Sequence, residues 1–131
     1  MQIIHQALLN HLSGQALKNP RLRMNFNFHE SAESPSQRML NAFELGTVLP
    51  VHRHRHTAET YILLRGSIQV FFYDDARMIT DSVVLDCSKG NFGVNIPLGQ
   101  WHSLEVLESG SVIFEAKDGP YAPLTEEDIL K

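Results

Sequence analysis

His52, His54 and His56 alternate with Arg53 and Arg55 in the stretch GTVLPVHRHRHTAETYILLRG, residues 46–66, and Glu59 follows them. Imidazole nitrogens and a carboxylate oxygen are ligands that suit Zn, Fe, Mn, Ni or Cu. In an extended segment residues two apart point to one face, so one strand can present two or three ligands together. Without a metal, the same run reads as a basic strand suited to phosphate, with Glu59 a turn carboxylate paired to an arginine. His56 completes the alternation but falls in the turn, which suits a supporting or surface role.

Two histidines on one strand hold an ion weakly, so further ligands are needed. His102 is the candidate: it follows the Pro97-Leu98-Gly99 turn and opens an apolar run. Leu104 and Val106 share its parity, which carries the imidazole towards the interior. The competing reading is an ordinary core histidine.

The elements that must position these residues are mostly strands. RLRMNFNFH, residues 21–29, alternates strictly between polar and apolar, the signature of a strand. Its polar row includes Arg21, Arg23, Asn25 and Asn27. It faces either water, as an edge strand would, or a substrate pocket, where two guanidiniums and two carboxamides supply hydrogen bonds. From Arg38 onward short apolar runs recur at 39–45, 61–64, 68–73, 78–85, 92–96, 101–107 and 112–116, separated by turn residues such as Ser88-Lys89-Gly90 and Ser109-Gly110. Many short strands without crossover helices predict an all-β sandwich or barrel of jelly-roll type and disfavour a parallel α/β sheet. Tyr61 shares parity with Glu59 and joins the candidate pocket residues, whereas Trp101 should face away from His102.

Before the strands, Ile4, Leu8 and Leu12 predict a short amphipathic helix over residues 3–13, stopped at Ser13-Gly14. Thr125–Asp128 can cap one helical turn near the end. The chain of 131 residues is expected to form one domain, with a helical segment at 1–20, the barrel at 21–117 and a tail at 118–131.

The composition, 43% hydrophobic and 20% charged, is that of an ordinary globular domain. A net charge of −4 gives no general attraction to nucleic acid or to an anionic membrane, and neither is expected as a partner. Cys87 is the only cysteine, so no disulfide can form within the chain. The opening MQIIHQALLNHLSGQ lacks a basic, uninterrupted apolar leader, and the expected address is the cytoplasm.

Gly46, His52, His54, Glu59 and Gly66 stand at the spacing of the first cupin motif, and Pro97-x-Gly99-x-x-His102 resembles the core of the second. Gly90 lies one residue farther from the proline than is usual, and Val106 stands where an asparagine is common. Over nearly its full length the chain is similar to the small WbuC-family cupin-fold metalloproteins, on RLRMNFNFH, IPLGQWHSLE and FEAKDGPYAP. The resemblance implies a cupin jelly-roll β-barrel with a short N-terminal helix. It implies one divalent transition metal per chain (Fe, Zn, Ni or Mn) held by His52, His54, Glu59 and His102, a homodimer, and a link to surface-polysaccharide metabolism.

Three neutral imidazoles and one carboxylate leave a divalent ion with net positive charge and open coordination positions, unlike a closed structural zinc site. The expected substrate is a small anionic or sugar-derived molecule, clamped by Arg21 or Arg23. The expected function is a metal-dependent enzyme, an oxygenase or an isomerase or lyase. The alternative is a non-catalytic, metal-dependent small-molecule or saccharide binding module. No residue is assigned a catalytic role from sequence.

Overall fold

The computed structural model describes residues Met1–Lys131. The alternating segments become eight strands: β1 (Arg23–Asn27), β2 (Ser36–Phe43), β3 (Glu59–Arg65), β4 (Ser67–Tyr73), β5 (Ile79–Asp86), β6 (Gly93–Ile96), β7 (Trp101–Val106) and β8 (Ser111–Asp118). All their pairings are antiparallel, in a five-stranded sheet ordered β1-β2-β8-β3-β6 and a three-stranded sheet ordered β5-β4-β7. This is the expected all-β, jelly-roll class. Period-two alternation delivers Phe43, Tyr61, Leu63 and Ile113 from the larger sheet and Ile68, Val70, Leu104 and Val106 from the smaller one into a common core.

The helix differs from its expected limits. It spans Gln6–Lys18, and its buried stripe is Leu9, Leu12 and Ala16, while Ile4 stays exposed. Ser13-Gly14 does not stop it, because the next turn carries Ala16 onto Leu40, Ala42 and Val112 of the larger sheet. Continuing past Gly14 takes Ala16 to full burial, which offsets the roughly 1 kcal/mol that a mid-helix glycine costs. The helix ends at Asn19, whose extended backbone is what a following proline demands. Arg65 fastens the helix to the sheet: Nη1 donates to Asn10 at 2.6 Å, Nη2 to Ser13 at 2.8 Å and Nε to the Gly110 carbonyl at 2.9 Å.

Strand β1 is also shorter than the alternation suggests. Arg21 lies in a preceding turn, where Asn19 Oδ1 accepts its backbone N–H at 2.9 Å and Leu22 takes a φ of 57°. Gly66, with a φ of 89°, makes the tight return from β3 to β4, and a Cβ there would strike the backbone of Ser111.

The histidine segment is extended but is not a regular strand. His52 forms isolated bridges to His102 on one side and to Ile129 on the other. Residues 126–128 form the expected capped turn, and Arg53 N–H donates to the Asp128 carbonyl at 3.0 Å while Leu130 N–H donates to Val51 at 2.8 Å. The tail thus lies along the segment that carries two of the candidate ligands. No helix is long and apolar enough to cross a membrane.

Candidate metal centre

Three elements converge on one point. The extended segment supplies His52 and His54, the first residue of β3 supplies Glu59, and β7 supplies His102; one ligating atom from each lies within 4.8 Å of all the others. Reciprocal backbone bonds, His52 N–H to His102 O at 3.0 Å and His102 N–H to His52 O at 2.9 Å, fix two of the rings side by side. Their centroids are 4.3 Å apart.

The hydrogen bonding inside the group suits a metal ion. His52 Nδ1 donates to the Pro50 carbonyl and His102 Nδ1 to the Gln100 carbonyl, each at 2.9 Å. A carbonyl can only accept, so Nδ1 carries the proton in both neutral rings and Nε2 presents its lone pair. His102 Nε2 and both Glu59 carboxylate oxygens are buried without any hydrogen-bond partner. His54 Nε2 rests against Glu59 Oε1, off the line of a hydrogen bond. Buried polar atoms left unpaired are costly, and an ion bound between them would satisfy them together.

The protonation states agree. Burial, reinforced by the neighbouring His102, pushes His52 down to about 4, and burial also lowers His102. Burial works to raise Glu59, but the contact with His54 and the charges of His54, His102 and Lys117 overcome it and hold the carboxyl at about 2. Near neutral pH His52 and His102 are unprotonated and Glu59 is ionised, as metal ligands must be.

His52, His54 and Glu59 form part of the wall of a cavity of about 300 Å³. Arg21, Arg23, Asn25 and Tyr61 line it too, so most of the polar row of the first strand looks inward. Asn27 does not reach this cavity; it lines an adjoining cleft one step farther along β1. Tyr61 is 4% exposed, and its hydroxyl is pushed well up by burial and by the Glu59 and Glu115 carboxylates, which keeps it protonated. His56 is exposed and stands outside the ligand group. Trp101 faces away, its Nε1 donating to Asp75 at 2.7 Å beneath the Arg53 guanidinium.

The sequence reading missed Asn41, Glu115 and Lys117 in the same wall. Glu115 is 8% exposed; Asn41 Nδ2 donates to it at 3.1 Å and Lys117 Nζ lies 3.7 Å away. The available signal was parity, since Glu115 and Lys117 follow the core residue Ile113 at steps of two.

The fold is a cupin-type jelly roll, shared with the cupin domain of Schizosaccharomyces pombe Cnp3 (TM-score 0.59, 12% identity, 73% of this chain and 64% of that one). Similar folds occur in the capsular polysaccharide assembling protein CapF from Staphylococcus aureus (TM-score 0.66, 20% identity, 80% of this chain and 30% of that one). KdgF from Halomonas sp. is another (TM-score 0.60, 14% identity, 83% and 86%), as is the DMSP lyase DddQ from Ruegeria pomeroyi DSS-3 (TM-score 0.63, 14% identity, 81% and 52%). The chain thus spans under a third of CapF and about half of DddQ. No curated protein matches it in sequence. Residues 4–85 match the family model described as a domain of unknown function, DUF6016, and the chain belongs to that family. That match includes His52, His54 and Glu59 and leaves His102 outside.

Proposed function

We propose that this cupin is a metal-dependent enzyme acting on a small anionic, sugar-derived substrate. The observation that carries the reading is the meeting of three imidazoles and a carboxylate, with unpaired buried donor atoms, at the wall of a cavity that also holds Arg21, Arg23 and Lys117. A divalent Fe, Zn, Ni or Mn ion bound by His52, His54, Glu59 and His102 supplies either Lewis-acid polarisation or a dioxygen-binding centre.

The chain's own residues do the rest. Arg21 and Arg23 bind the substrate's acid group, for which planar guanidiniums are suited. Tyr61 donates a hydrogen bond from a phenol that stays protonated. Glu115, raised to about 7 by burial and by Glu59 against the pull of Lys117, can hold or release a proton near neutral pH. This group favours an enzyme over the binding-only alternative, because it supplies an acid–base residue outside the ligands. The likeness to WbuC-family cupins and the fold shared with CapF support a sugar-derived substrate and a place in surface-polysaccharide metabolism.

The test is elemental analysis of protein purified anaerobically without added metal, followed by an oxygen-uptake assay with sugar acids. About one ion per chain is expected. Iron with uptake identifies an oxygenase; zinc or nickel with turnover but no uptake identifies an isomerase or lyase. A chain that neither retains nor takes up metal overturns the proposal.

A further inference from the structure

The metal-bearing cavity does not end at Lys117. A second cleft of about 370 Å³ shares Asn25, Met39, Lys117 and Tyr121 with it and continues along β1 past Asn27 to His29 and Glu30. Loop residues 31–32 line it as well and are tied to the junction where Tyr121 N–H donates to the Ala32 carbonyl at 2.6 Å. At a rise of about 3.3 Å per strand residue, the row from Arg23 to Asn27 alone spans roughly 13 Å. That is more than a single sugar acid at the metal would use.

The chemistry changes along this path. Arg21 and Arg23 line only the cavity that holds the metal ligands, and Lys117 stands where the two clefts meet. Beyond them Asn25 and Asn27 offer carboxamides, linked side chain to side chain at 3.0 Å, and Glu30 makes the far end unfavourable for a second acid. Carboxamides both donate and accept, which matches hydroxyl groups. Tyr121, 54% exposed at the junction with Lys117 Nζ 6.0 Å from its ring, presents an open aromatic face of the kind on which a pyranose ring stacks.

We infer that the site takes an acidic oligosaccharide rather than a lone monosaccharide: its acid residue sits at the metal and arginine end, and a neutral sugar occupies the cleft formed by Asn25, Asn27 and Tyr121. The inference rests on the proposed metal-centred reading and adds to it the length and polarity of the substrate.

Titration calorimetry on the zinc-loaded chain tests it, with glucuronic acid and a disaccharide joining glucuronic acid to a neutral hexose as probes. The disaccharide is expected to bind at least about tenfold tighter, the scale of two net hydrogen bonds. In N27A and Y121A, both changes at exposed side chains, that ratio falls towards one. Equal affinities, a ratio that survives both substitutions, or binding of neither probe by metal-loaded protein overturns the inference. Failure to load metal instead defeats the reading beneath it.

Discussion

Lys117 Nζ stands 3.7 Å from Glu115 Oε2 inside the cavity, close enough to attract but too far for a hydrogen bond. Burial and Glu59 therefore win, and the Glu115 carboxyl is raised from 4.5 to about 7 despite Lys117. Between those values the folded chain binds a proton that the unfolded chain has released, so this group's contribution to stability falls as pH rises through that window. His52, pushed down to about 4, acts oppositely across an overlapping range. The contribution of Glu115 is isolated by comparing metal-free wild type with E115Q in urea denaturation from pH 4.5 to 8. The stability of wild type relative to E115Q should decline with rising pH; a constant difference would show that Glu115 is not raised.

Metal binding should stabilise the fold and be visible from the single tryptophan. Trp101 is the only one in the chain and neighbours His102. A paramagnetic ion such as Co²⁺ or Cu²⁺ held beside it should quench its fluorescence with about one equivalent bound. A ligand that binds only the folded state adds about 2.7 kcal/mol when present at 100 times its Kd, and so raises the Tm. H102A should lose both effects. An undiminished metal-dependent Tm shift in H102A would remove that residue from the ligand set.

The fold and the ligand group were largely legible because both depend on short periods. Strand alternation placed His102 with Leu104 and Val106, and the spacing from Gly46 to Gly66 brought out His52, His54 and Glu59. Less legible was whatever depended on three-dimensional neighbours. The helix overran Ser13-Gly14 because Ala16 finds Leu40 and Val112 across the sheet, a contact that local propensity cannot register. Glu115 and Lys117 share the parity of Ile113, but nothing in the local run reveals that β8 lies at the centre of the larger sheet between β2 and β3, where that face lines the cavity. Arg21 reached the cavity from a turn, where a period-two argument gives no direction.

Gly66 should be intolerant of any side chain. Its φ of 89° is unfavourable for other residues, and an added Cβ would lie 2.6 Å from Ser111 Cα, a backbone atom that cannot swing aside. G66A is expected to cost about 2–4 kcal/mol, combining left-handed strain with overpacking. At Gly90, where φ is also positive but nothing lies within 4 Å of the Cβ position, alanine should cost only the strain, about 1–2 kcal/mol. Chemical denaturation of the two variants separates the steric part from the conformational one; equal losses would refute the clash.

The terminal turn should govern the metal site from outside it. Asp128 Oδ1 forms ion pairs with Arg55, whose Nε is 2.7 Å away, and with Arg53, whose Nε is 3.9 Å away, and these two arginines flank His54. The same carboxylate caps its own turn by accepting from Thr125 N–H at 3.2 Å and from the Thr125 hydroxyl at 3.1 Å. One side chain therefore joins the tail to the segment that orients His52 and His54, while His52 keeps its ring hydrogen bond to Pro50. Removing it in D128A breaks a charge-assisted contact and a cap, a loss of about 1–2 kcal/mol in stability. Loosening the segment should also weaken zinc binding several-fold without changing the stoichiometry. Glu127, on the same turn, pairs with Arg55 at 3.0 Å but has a side chain that is 74% exposed, so E127A should cost under about 1 kcal/mol and leave zinc affinity near wild type. Competition titration of the two variants with a chromophoric chelator distinguishes them. Equal zinc affinity in D128A and wild type would show that the histidine segment holds its shape without the tail.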